Sequence, residues 1–204
     1  MNYHLWLAFA AASAALLALP GPTVTVVVGH AVSGGRRSAL ATVPGVVLGD
    51  FAAMTISLLG AGSVLAASAT LFTALKLAGA AYLVWLGLGL IRRKTISIAP
   101  DACHPARSNR AIFWNCFLVT AFNPKDIVFF VAFLPQFLDP SRPMATQMVV
   151  LEATFLTMVG INILLWSLAA GQLKIFLSRP SHGTLLNRIS GSILIGAGIL
   201  TARA

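Results

Sequence analysis

Charge is what this sequence has least of. Only 9% of its 204 residues are Asp, Glu, Lys or Arg, and the acids are the rarer sign, 5 against 14 Lys and Arg. A water-soluble domain carries about 25% charged residues, so the chain lacks the polar surface that a soluble fold needs. Cysteine is nearly absent too. Cys103 and Cys116 stand too far apart for a CxxC redox or zinc motif. The 4 histidines, His4, His30, His104 and His182, fall at expected termini and loops without ligand spacing, and the acids do not cluster. No metal centre is supported, and no cofactor is expected. A phosphate-binding P-loop, a dinucleotide fingerprint and a nucleophile-plus-base arrangement are also missing. The chain therefore reads as no enzyme, and any uphill work needs an ion gradient or another subunit.

What is present is apolar: 58% of the residues are hydrophobic, and the mean hydropathy is +0.88. A membrane span needs about 20 mostly apolar residues, and 6 segments qualify: 5–29, 42–63, 69–91, 112–134, 146–171 and 185–202. The expected fold is an all-α integral membrane protein of six transmembrane helices in the lipid bilayer. The N-terminus resembles a signal peptide up to Ala18-Leu19-Pro20, but Met1 to His4 holds no Lys or Arg, so an uncleaved first helix is expected. The net charge of +9 sits in loops rather than interleaved with aromatics, which excludes nucleic acid as a partner. Arg36 and Arg37 mark loop 1, Arg92, Arg93, Lys94, Arg107 and Arg110 loop 3, and Lys174, Arg179 and Arg188 loop 5. Loop 2 is uncharged, and in loop 4 Arg142 is offset by Asp139. Alternate loops are basic, which puts loops 1, 3 and 5 in the cytoplasm and both termini outside.

The chain reads as a single transporter domain, 1–204, with half-repeats of about 1–91 and 112–204 around a basic cytoplasmic loop, 92–111. Each half has an odd number of spans, so the second enters from the opposite side, as two inverted three-helix repeats. Gly45-x-x-x-Gly49, Gly79, Gly87, Gly89, Ser192-x-x-x-Gly196 and Gly198-x-x-x-Ala202 supply close-packing surfaces, within one bundle or in a homodimer. Tyr3, Trp6 and Trp114 suit the membrane interfaces, while Trp85 and Trp166 are expected to pack between helices.

Leu19-Pro20-Gly21-Pro22 and Asn123-Pro124-Lys125-Asp126 break apolar stretches in matching places. Pro22 and Pro124 are 102 residues apart, and so are Asp50 and Glu152. A helix broken within a membrane exposes backbone polar groups, so such breaks persist where they line a cavity or are buried in protein. Paired breaks point to a transport site at a repeat interface. Pro20 and Pro22 remove backbone donors, Gly21 permits a sharp turn, and a helix resuming at Thr23 offers free N–H groups and a positive dipole end to a carboxylate. Asn123 suits an N-cap and Pro124 the first helical position. Lys125 then sits where the dipole disfavours a cation. Either Asp126 or an anionic substrate group neutralises it, and the plain alternative is a kinked helix with a local Lys–Asp pair.

Asp50 has no compensating charge within a helical turn, and an acid at depth costs about 2.5–3.5 kcal/mol on insertion scales. It reads as a proton-coupling carboxylate or the partner of a substrate ammonium, unless it lies near the cytoplasmic interface. Glu152, nearer the outer edge, reads the same way or snorkels, and Lys76 either contacts substrate or reaches the outer interface. Asn162 serves as a polar clamp or bonds across helices.

In Pro20-Gly21-Pro22, Pro44-Gly45-Val46-Val47-Leu48-Gly49-Asp50, Leu75-Lys76-Leu77-Ala78-Gly79 through Gly87, and Asn123-Pro124-Lys125 followed by Phe133-Leu134-Pro135-Gln136-Phe137, the chain resembles the LysE/RhtB family of bacterial amino-acid efflux proteins. The resemblance covers essentially the whole chain. It implies efflux of amino acids or related small zwitterions across the bacterial inner membrane, coupled to protons. A secondary-active exporter working by alternating access is the expectation. An efflux transporter for another small solute or cation is the alternative, and an intramembrane enzyme or redox carrier a more distant one.

Overall fold

The computed structural model describes residues 3–18, 21–92, 108–138, 142–177 and 180–203, and every regular element among them is helical. In order these are α1 (Tyr3–Leu17), α2 (Pro22–Ala67), α3 (Ala69–Arg92), α4 (Asn109–Ala121), α5 (Pro124–Ala132), a 3-10 turn over Leu134–Phe137, α6 (Met144–Leu177) and α7 (Pro180–Arg203). Both proline motifs interrupt helices. The stretch expected as a first span, 5–29, is divided between α1 and α2, and the stretch 112–134 between α4 and α5.

Loop 1 is reduced to a joint. Two helical segments of α2 meet at Gly35, beside Arg36 and Arg37, and its φ of 66° and ψ of −164° lie outside helical space. A positive φ is open to glycine because it has no Cβ, so one residue separates the two segments. His30 is consequently a helix residue rather than a loop one. The uncharged loop 2, expected after a span ending at 63, is confined to Ser68 because α2 stays helical to Ala67; Ser68 Oγ accepts from the Leu71 N–H (3.2 Å) and caps α3. Ser108 does the same for α4, accepting from the Ala111 N–H (3.3 Å).

Packing follows the small residues. α2 packs most extensively on α4 and α6, and α3 on α7. Between α3 and α7 the backbones touch: a Cβ on Gly87 would stand 2.6 Å from the Gly191 carbonyl oxygen, and one on Gly198 2.7 Å from that of Ala80. Gly89 and Gly196, grouped with them on sequence, face open space.

The densest apolar packing is aromatic. Phe9 of α1 meets Phe137 at 5.4 Å, Phe155 of α6 meets Phe130 of α5 at 5.0 Å, and Phe129 meets Phe133 at 5.0 Å between ring centroids. Met54, Leu58 and Leu151 close around them. Trp166 packs beside Val24, Val28 and Ala170, as a helix-packing residue should. Trp85 does not: it is 67% exposed and lies against Tyr82 on its own helix. Two described stretches, Arg37–Gly60 and Met144–Ala170, are long and apolar enough to cross a membrane, and Leu77–Arg92 is a shorter apolar helix.

Candidate functional site

The two broken helices meet. α5 begins where the sequence places its start: Asn123 is the N-cap, Pro124 follows, and Asn123 Oδ1 accepts from the Lys125 N–H (3.2 Å). The Asn123 amide also reaches beyond its own helix. Its Nδ2 donates to Asp126 Oδ2 (2.6 Å) and to Thr23 Oγ1 (3.3 Å) in the first turn of α2. Thr120, at the end of α4, donates to the same Thr23 oxygen (3.3 Å). One hydroxyl in the first half of the chain is therefore held by two side chains from the second.

The start of α2 has a different chemistry. Gly21 occupies the capping position, and its carbonyl takes both the Thr25 N–H and the Thr25 hydroxyl at 3.0 Å. Having no side chain, Gly21 cannot satisfy the N–H groups of Thr23 and Val24, which no helical acceptor reaches. Lys125 fills the space instead: a methyl placed on Gly21 would lie 3.5 Å from its Nζ. An open helix N-terminus and an ammonium thus face the same point, and both favour an anion. Lys125 Nζ stands 3.6 Å from Asp126 Oδ1.

Asp50 enters from the second segment of α2. Gly45 and Gly49 let that segment run against α4: a Cβ on Gly49 would stand 2.8 Å from the Phe117 carbonyl oxygen and 2.9 Å from Thr120 Cβ, and one on Gly45 3.0 Å from Cys116 Cβ. This approach buries Asp50 to 3% exposure. There the charges of Asp126 and Lys125 act on it, and its Oδ1 has no hydrogen-bond partner among the described residues. A buried carboxylate oxygen is costly in protein without a donor.

Of the residues singled out on sequence, Gly21, Thr23, Asp50, Asn123 and Lys125 come together, and Pro22 and Pro124 start the two helices that bring them. Pro20 lies outside the described residues, and Lys76 falls within α3, its side chain likewise outside them. Glu152 is elsewhere. It accepts from Thr55 Oγ1 (2.6 Å), and Thr55 is about 7.5 Å farther along α2 than Asp50 at the helical rise. The part played by Thr120, and the bond from Asn123 to Asp126, were not legible as site features. The one local signal is the spacing Thr120-x-x-Asn123, which brings a hydroxyl and an amide to the same side of the break.

An all-helical architecture with membrane-length apolar stretches, enclosing ion-paired side chains where two interrupted helices meet, defines a membrane translocator. The chain belongs to the LysE family: the description of LysE type translocators fits residues 14–204. It is 34% identical over 204 residues to an uncharacterized membrane protein of Vibrio cholerae, across 100% of this chain and 99% of that one. It is 28% identical over 204 residues to the homoserine/homoserine lactone efflux protein of Salmonella typhimurium, covering 100% and 98%. It is 27% identical over 156 residues to the leucine efflux protein of Salmonella choleraesuis, covering 76% and 74%. No solved structure matches it.

Proposed function

We infer that the protein exports amino acids or related small zwitterions across the bacterial inner membrane, exchanging them for protons by alternating access between two inverted three-helix halves. One observation carries this reading: Lys125 of the second break stands against Gly21 of the first, and the Asp50 carboxylate is buried beside α4 with one oxygen lacking a hydrogen-bond partner among the described residues. A zwitterion needs a cationic and an anionic subsite a few ångströms apart. The bare N-terminus of α2 with Lys125 takes the carboxylate, and Asp50 takes the ammonium when substrate is bound or a proton when it is not. Two relatives are named as efflux proteins for amino acids or an amino-acid lactone, which supports the same substrate class.

The six-span arrangement has support in the positions of the breaks. α1 with the first segment of α2, and α4 with α5, are pairs of short helices consecutive in the chain. The second segment of α2 and α6 are the membrane-length helices that follow them. Purified protein in liposomes preloaded with unlabelled amino acids should accumulate labelled homoserine or leucine by counterflow. Folded protein that accumulates no amino acid rules out the proposed activity.

A further inference from the structure

We propose that the bond between His30 and Asn115 is the cytoplasmic latch of the transport site, making residues 22–34 of α2 its inner gate. The proposal rests on the alternating-access reading above. His30 is only 7% exposed, and its Nε2–H donates to Asn115 Oδ1 (3.1 Å) on α4. Thr23, about two turns earlier on α2, is tied to Thr120 of the same α4. Among the described residues of this segment, these are the side chains that make polar links to other helices, one near each end. The segment lies between two non-helical joints, the break before Pro22 and the bend at Gly35. It carries the carboxylate subsite at one end and runs toward Arg36 and Arg37 at the other.

The remaining apolar contacts of the segment come from small aliphatic side chains. Val24, Val28 and Ala31 pack against Trp166 and Ala170 of α6 in a small cluster, while Val27 and Val26 reach the main core. On the other side of the site α5 is sealed differently, its Phe129 and Phe130 embedded in the aromatic cluster with Phe155. The sequence position matching His30 at the 102-residue offset is Ala132, which carries no polar group. Water can replace the partners of a histidine–asparagine bond, whereas parting the phenylalanines exposes a large apolar surface. The inner side therefore opens more readily than the outer, which favours loading from the cytoplasm and suits export.

The test uses Val28→Cys in full-length protein carrying Cys103→Ser and Cys116→Ala, in membrane vesicles of known orientation with an impermeant maleimide. His30→Ala and Asn115→Ala should each raise labelling from the cytoplasmic face about fivefold, the population change that losing one hydrogen bond implies. Labelling from the outer face should not change. His30→Gln, whose amide can still donate to Asn115, should label at the parent rate. Unchanged cytoplasmic labelling, or an equal rise from both faces, overturns the latch. Counterflow by the parent protein in the same vesicles reads the exporter assignment separately: a one-sided labelling shift without counterflow keeps the latch and removes the exporter.

Discussion

Lys125 has two claims on its charge: Asp126, 3.6 Å away on its own helix, and any anion at the uncapped start of α2. Under the proposed function, a substrate carboxylate would draw the ammonium toward Gly21 and leave Asp126 to the Asn123 amide. Lys125→Met should raise the half-saturating substrate concentration roughly ten- to hundredfold, the worth of a hydrogen bond to a charged group, as counterflow titration would show. Gly21→Ala should retain transport, since its methyl meets Lys125 Nζ at an ordinary 3.5 Å. Gly21→Val, whose branches take the ammonium's volume, should not. Asp50→Asn should end flux driven by a pH gradient; undiminished flux would remove Asp50 from coupling. Much of this chemistry is legible locally. Asn-Pro announces a capped helix start, Pro-Gly-Pro one without a side-chain cap from Gly21, and a lone acid in an apolar run a buried carboxylate. Thr23 with Thr120 and Asn123 was not legible, because those bonds join residues about a hundred positions apart and depend on how two helix ends meet.

The helices owe their arrangement to a few close approaches. Where α2 crosses α4, Gly49 leaves no room for a methyl, so Gly49→Ala should force the helices apart and destabilise the protein by about 1–3 kcal/mol. Gly160 is the control: its Cβ would meet Val47 Cγ2 at a relaxed 3.8 Å, so Gly160→Ala should leave thermal unfolding in detergent nearly unchanged. The aromatic cluster is less forgiving. Phe155 touches rings from α1 and α5, and Phe155→Ala should cost about 3–5 kcal/mol by the same measurement. Hydropathy located the apolar stretches and the joint between the first two, but not how short that joint is. Gly34-Gly35 followed by two arginines has the composition of a loop, and a single positive φ at Gly35 is enough to part the two helical segments. Trp85 was misread for a related reason. Apolar character places a residue away from water, and in a membrane that means either a neighbouring helix or lipid.

The whole chain is organised by where its few charges lie. Basic residues at alternate helix connections predict, by the positive-inside rule, that both termini lie on the outer face. Reagents that cannot cross the membrane should therefore label an N-terminal cysteine from outside and one at Ser38 from the cytoplasm; the reverse pattern would invert the topology. The broken helices also bear on biosynthesis. α1 has 15 residues and α5 has 9, which rise about 22 Å and about 14 Å, short of a hydrocarbon core about 30 Å thick. Neither can settle in the bilayer alone as it leaves the ribosome. On the six-span reading, α1 needs the first segment of α2, and α5 needs the α4 that precedes it, to reach across the core. Membrane insertion of this chain is thus cooperative between consecutive helices, and a nascent chain halted after α1 would be held less firmly than one halted after α3.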